Sequence, residues 1–241
     1  MKTSEQVAIV TGGAKGYGAG IAAALKERGV HVWATGRDET ALGSIGKELG
    51  VRTLRADVTS AEDWDALCDA VMQEHNRLDI LVNNAGAGIR IAPAAELTDE
   101  EIRQCLAVNL AGPMLGCRRV AGIMKEAGSG TIINVSSVCQ DKAWPGFAAY
   151  SAAKAGLAQF SKCLYTELRE HGVRVTTLVP SWGATGFGEA AGLPPRSADL
   201  AAKCIQPREL GELVATVCEL PAHLEIQDLT LWPLVQEVVP L

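Results

Sequence analysis

Apolar positions along this chain fall into short dense runs, separated by longer stretches in which they recur every three or four residues. Val7–Val10, His31–Thr35, Val51–Ala56, Asp79–Asn83, Thr131–Val135 and Val173–Val179 are the dense runs and read as buried strands. The helical period runs from about Tyr17 to Arg28, Asp38 to Leu49, Ala61 to about Glu74, Phe147 to about His171, and Pro207 to Leu220. Two more helical stretches lie between Ile91 and Gly128; the first starts at Thr98-Asp-Glu-Glu101, a threonine with glutamate three residues on. Strands alternating with helices imply a parallel sheet covered on both faces. Right-handed crossovers then give a doubly wound α/β fold of about seven strands. No repeat, low-complexity segment or linker divides the chain, so residues 1–241 are expected to form one domain.

Composition narrows the function classes. The chain has 241 residues, 48% of them hydrophobic, enough for a large core. Its net charge is −6 and its lysines and arginines are scattered, which argues against a nucleic-acid partner. No apolar run approaches the roughly 20 residues of a membrane span. The first residues do not read as a secretory signal. Cysteines 68, 105, 117, 139, 163, 204 and 218 form no CxxC pair and share no ligand spacing with the four histidines. The expectation is reduced thiols in a cytoplasmic protein without a structural metal.

Chemistry first enters at Thr11-Gly-Gly-Ala-Lys-Gly-Tyr-Gly18, between the first strand and the first helix. Glycines 12, 16 and 18 let a backbone approach a pyrophosphate, and the helix N-terminus supplies N–H groups and a positive dipole end. Their spacing matches the general dinucleotide fingerprint only in part. The second strand closes in Ala34-Thr-Gly-Arg37 with no carboxylate at its tip. Arg37 and Lys15 therefore favour the 2′-phosphate of NADP(H), the competing assignment being Asp38 on a ribose. Asp38 is better used as the N-cap of the helix it opens. Farther on, Tyr150 and Lys154 stand four apart on one helix face. A neighbouring ammonium lowers a phenol's pKa and suits it to general acid/base work; the plainer reading is a surface pair.

In order and spacing, Thr11–Gly18, Asp57-Val58, Asn83-Asn84-Ala85-Gly86, Asn109, Ser136-Ser137 and Tyr150…Lys154 resemble the short-chain dehydrogenase/reductase family, over essentially the whole chain. The resemblance implies a Rossmann-type fold and hydride transfer between NADP(H) and a carbonyl or alcohol. It further implies catalytic roles for Asn109, Ser137, Tyr150 and Lys154, with Ser136 in support. Gly12, Lys15, Gly16, Tyr17, Gly18, Arg37, Asp57, Val58, Asn84, Ala85, Gly86, Tyr150, Lys154, Pro180 and Thr185 would hold the cofactor. Asp57 would receive the adenine amino group with Val58 beside the ring, and Asn109 would help hold a water in a proton relay to Lys154. Thr185 would meet the nicotinamide carboxamide. The chain departs from the family at Pro180-Ser-Trp-Gly-Ala-Thr185, where the usual pattern is Pro-Gly with an apolar residue two positions on.

Residues 186–206, rich in Gly, Ala and Pro, read as a lid over the substrate. Trp144 and Trp182 fall in segments bordering the pocket, as an aromatic wall or as lid packing. Arg90 could pair a substrate carboxylate or sit solvated on a loop. The ending, Leu220-Pro-Ala-His223 with Leu229-Thr-Leu-Trp-Pro233, is weakly similar to relatives acting on small 3-hydroxy acids and serine. Apolar residues on more than one side of the 147–168 helix, with the exposed-looking tail Leu229–Leu241, predict a homo-oligomer, dimer or tetramer; a tail folded onto its own subunit is the alternative. A non-catalytic NADP(H)-binding sensor or scaffold is the competing function.

Overall fold

A computed structural model describes residues 6–86 and 90–237. Seven parallel strands form one sheet: β1 (Val7–Thr11), β2 (His31–Gly36), β3 (Arg52–Arg55), β4 (Ile80–Asn83), β5 (Gly130–Val135), β6 (Val173–Pro180) and β7 (Asp228–Leu231). Their spatial order is β3-β2-β1-β4-β5-β6-β7, so the order reverses between β1 and β4. Ligands bind outside the strand carboxyl ends at such a switch point. Successive side chains of a strand face opposite ways, and both faces here are apolar. Ala8 and Val10 pack under helices α1 (Gly16–Glu27), α2 (Glu39–Leu49) and α9 (Pro207–Glu219), the last following the short α7 (Phe187–Ala190) and α8 (Ala198–Ala202). Val7 and Ile9 pack under α3 (Ala61–His75), α5 (Gly112–Ala127) and α6 (Ala148–Leu168). Among the described residues no helix is long and apolar enough to cross a membrane.

Close approaches fix how the helices lie. Gly20 of α1 crosses α9 so tightly that a Cβ would fall 2.0 Å from the Pro207 carbonyl oxygen. On the other face Trp64 is 2% exposed and lies over Gly116, while its indole N–H donates to the Val58 carbonyl at 3.0 Å. Burying a large apolar side chain in this way contributes about 2–3 kcal/mol.

Local signals place the helix starts. The Asp38 carboxylate accepts from the Ala41 N–H at 3.0 Å, the N-cap role its sequence position predicts. Thr98 and Glu101 form a reciprocal capping box at the start of α4 (Asp99–Leu106). Between α4 and α5 the chain stays helical, and Asn109 stands within a five-residue π-helical segment, Ala107–Ala111, that joins the two helices. Pro113 has no N–H to give the carbonyl four residues earlier, that of Asn109, and the helix widens around the mismatch instead of stopping.

The chain ending also differs. Leu229–Leu231 is not exposed tail: β7 pairs with β6, Leu229 opposite Leu178 and Leu231 opposite Pro180. Leu234 and Val235 beyond it are exposed, and Val238 and Val239 lie outside the described residues. Within α6, Ala152 and Cys163 are exposed, Gly156 and Phe160 half-buried, and Leu157 and Leu164 fully in the core.

Candidate active site

The glycine loop leads from β1 into α1. Gly12 turns through φ +62°, where a Cβ would come within 3.1 Å of the Asn84 amide nitrogen and the Ala85 Cα. Gly18 admits no side chain at all, since a Cβ would stand 2.0 Å from the Gly12 carbonyl oxygen. Asn84 ties the loop to the end of β4, its amide donating to the carbonyls of Thr11 at 2.9 Å and Gly12 at 3.3 Å. The Thr11 hydroxyl, buried, accepts from the N–H groups of both Asn84 and Ala85 at 3.0 Å. Sequence reading passed over Thr11 as a supporting residue, although it opens the motif.

This loop fits a dinucleotide pyrophosphate. No side chain caps the N-terminus of α1 and no acidic residue lies in its first turn. Free N–H groups and a positive dipole end are therefore available there. Lys15 and Arg37 stand beside it with 71% and 59% of their side chains exposed. Each already has a carboxylate neighbour: Lys15 reaches Asp38 at 2.5 Å, and Arg37 lies 3.9 Å from Asp57. The lysine bond first, then the Ala41 N–H, holds the Asp38 carboxyl below its ordinary range. Asp38 is thus engaged by Lys15 and the α2 cap rather than turned to a ribose. Asp57 also accepts from the Thr59 N–H and hydroxyl at 2.9 and 2.8 Å. Val58 packs against Gly112 and belongs to the core under α3 and α5.

Across the switch point, β5 ends in Ser136-Ser137 and α6 brings Tyr150 and Lys154 against it. The Lys154 ammonium donates to the Val135 carbonyl at 2.9 Å and lies 5.6 Å from the centre of the Tyr150 ring. Ser136 donates to the Lys154 carbonyl at 3.3 Å. The Ser137 hydroxyl accepts from the Cys139 N–H at 3.3 Å and lies close enough to the Tyr150 phenol to favour its ionisation. Asn109 is fully buried and its amide donates to the Cys105 carbonyl at 3.1 Å. A Cβ on Gly86 would meet the Asn109 side-chain oxygen at 3.1 Å and the Lys154 nitrogen at 3.8 Å, so these three residues converge.

The protonation states differ from the sequence expectation of a phenol lowered by lysine. Tyr150 and Lys154 are 7% and 3% exposed, no surface pair. Burial is the largest influence on both: it drives the phenol above its ordinary value of 10, against the lowering influence of the Ser137 hydroxyl, and pulls the lysine down to about 8. Near neutral pH the pair is a protonated phenol beside a mostly charged ammonium. Desolvation, a tertiary effect, outweighs the charge neighbour that the four-residue spacing supplies.

Farther out, an aromatic wall rises over the phenol. Trp144 meets Phe147 at 6.3 Å, Phe147 meets Tyr150 at 6.4 Å, and Phe187 meets Tyr150 at 5.3 Å. Phe187 was missed by sequence reading; an aromatic inside a lid-like segment is the signal that could have found it. Trp182 stands apart under the Arg196 guanidinium, 4.8 Å from its ring centre. Pro180 ends β6, and Thr185 lies beside Gly16 while its hydroxyl accepts from the Phe187 N–H at 3.3 Å. Arg90 is exposed on its loop and already paired within the protein. It binds Glu101 at 3.0 Å and the Glu96 carbonyl, and pulls the Glu101 carboxyl down to about 2.

Known proteins share this chain's sequence pattern and fold. A family model described as short chain dehydrogenase matches residues 6–192. D-threitol dehydrogenase of Mycolicibacterium smegmatis is 39% identical over 79% of this chain and 75% of its own length. Cis-4-hydroxycyclohexanecarboxylate dehydrogenase of Sinomonas cyclohexanicum is 36% identical over 87% of this chain and 84% of its own. Among solved structures, the closed form of serine dehydrogenase complexed with NADP+ superposes with a TM-score of 0.90 at 31% identity, covering 98% of each chain.

Proposed function

Because the chain belongs to the short-chain dehydrogenase family, we propose that it is an NADP(H)-dependent oxidoreductase interconverting an alcohol and a carbonyl in a small hydroxylated substrate. The carrying observation is the buried Tyr150 phenol with the Lys154 ammonium 5.6 Å from its ring centre and Ser137 beside it. The named relatives are dehydrogenases of a polyol, a cyclic hydroxy acid and serine, so the substrate class is a small alcohol or hydroxy acid. NADP+ in the similar structure, with Lys15 and Arg37 exposed beside the loop, supports the phosphorylated cofactor.

When bound, NADP(H) supplies or accepts the hydride at the substrate carbon. In reduction Tyr150 donates its proton to the substrate oxygen and Ser137 steadies that oxygen with a hydrogen bond. Lys154 keeps a positive charge under the phenol as it ionises, and Asn109 beside it belongs to the path that returns the proton. In oxidation the roles reverse and the phenolate is the base. The lid, residues 186–206, brings Phe187 over the phenol and helps exclude water. The partly open second face of α6 and the exposed Leu234 and Val235 support an oligomer, and the unpaired thiols support a reducing cytoplasm.

The test follows NADPH oxidation with a panel of ketones, aldehydes and 3-oxo acids, and NADP+ reduction with the matching alcohols. Tyr150→Phe should lower kcat by about 10²- to 10⁴-fold while NADPH binding holds. Equal inertness of wild type and variant, with NADPH bound tightly by both, would mark a sensor instead of an enzyme.

A further inference from the structure

The glycine loop and the segment after β6 meet through a side chain that the reaction above leaves idle. Tyr17, in the first turn of α1, reaches across to Gly183. A Cβ on Gly183 would fall 2.1 Å from the Tyr17 hydroxyl oxygen and 2.4 Å from the ring carbon that bears it. The phenol thus fills the space a side chain at 183 would take, at a position where the family pattern is apolar. Its hydroxyl is buried and has no hydrogen-bond partner among the described residues. Buried polar groups left in that state cost stability and call for an explanation.

Surroundings indicate what would satisfy it. Burial, ahead of Cys204, drives the Tyr17 phenol above its ordinary value, so it stays a neutral donor. It lies against Gly183, in the segment that goes on to bring Phe187 within 5.3 Å of the Tyr150 ring, which puts it at the reacting end of the site. Thr185 borders the same junction through Gly16. The free N–H groups for the pyrophosphate belong to the backbone of α1, not to this side chain. A neutral hydroxyl donor sealed in this position calls for an acceptor.

We propose that the Tyr17 hydroxyl donates a hydrogen bond to the carboxamide oxygen of the nicotinamide, and that Gly183 is the substitution that admits it. This rests on the NADP(H) reading above and makes Tyr17 a cofactor-binding residue through its side chain.

The test compares NADPH with adenosine 2′,5′-bisphosphate, which carries the adenine and 2′-phosphate but no nicotinamide. Dissociation constants are measured by calorimetry, without substrate, on wild type, Tyr17→Phe and Gly183→Ala. Tyr17→Phe should weaken NADPH about three- to tenfold and leave the bisphosphate unchanged. Its ligand-free Tm should equal or exceed that of wild type, because the orphaned hydroxyl is gone. Gly183→Ala, by displacing the phenol, should reproduce the NADPH loss, and the double variant should lose no more than either single one. An unchanged NADPH constant in Tyr17→Phe, an equal loss for both ligands, or a marked fall in Tm would each overturn the contact. If wild type bound neither ligand, the cofactor reading and this contact would fall together, a result distinct from the others.

Discussion

Lys154 is buried directly against the Tyr150 ring, with its ammonium tied to the Val135 carbonyl at 2.9 Å. Its pKa of about 8 lies below the ordinary 10.5. Between those values the unfolded chain binds a proton that the folded one has released, so stability rises with pH through that window. Below pH 8 both states hold the proton and the folded state carries the full penalty of a buried charge. Lys154→Met should therefore raise stability by about 1–3 kcal/mol at pH 7 while abolishing turnover. The gap over wild type should close as pH approaches 10.5. Urea titrations at pH 7 and pH 10 measure it; a variant less stable than wild type at pH 7 would refute it.

Arg37 and Lys15 are exposed cations beside the loop, already drawn to Asp57 and Asp38. Arg37→Asp should raise KM for NADPH at least about tenfold more than KM for NADH, since it removes one charge-assisted partner and adds repulsion. Steady-state kinetics with both cofactors give the ratio. If the ratio stays put, Arg37 does not read the phosphate.

Thr11 is a structural prediction at the same site. Its hydroxyl accepts from two backbone N–H groups, those of Asn84 and Ala85. Thr11→Val keeps the shape and strands the Ala85 N–H, leaving the Asn84 N–H only the Val82 carbonyl at 3.1 Å, at about 1–3 kcal/mol. Chemical denaturation reads the loss, and a loosened glycine loop should raise KM for NADPH with little change in kcat.

Two glycines separate crowding from helix propensity. Gly20→Ala would drive a Cβ onto the Pro207 backbone, which cannot yield without parting α1 from α9, and should cost about 3 kcal/mol or more. Gly43→Ala in the middle of α2 meets nothing within 4 Å and should stabilise by about 0.5–1 kcal/mol. Thermal melts of the pair should move in opposite directions.

Much of the fold was legible because local chemistry decides it. Asp38 and the Thr98–Glu101 pair mark helix starts through bonds spanning three residues, and a pattern of that length is visible in any sequence. What escaped depends on distant partners. Leu229–Leu231 sits at the sheet edge with alternating exposure, a weak pattern that resembles a tail until β6 is placed beside it. Asn83 donates to Asn134 at 2.8 Å, and Asn134 to Ser161 at 2.8 Å, a buried chain across β4, β5 and α6 that no short motif announces. At the candidate site, spacing brought Tyr150 to Lys154, but the direction of their titration depends on how deeply the fold buries them.

Gln236 is the last buried side chain in the described part of the chain, and its amide oxygen accepts from both the Ser181 hydroxyl and the Trp182 N–H. The turn that leaves β6 toward Gly183 and Thr185 is thereby moored to residues more than fifty positions downstream. An affinity handle or a shortening placed after β7 would slacken that mooring, so recombinant versions differing only at this extremity should differ in how firmly they grip the dinucleotide.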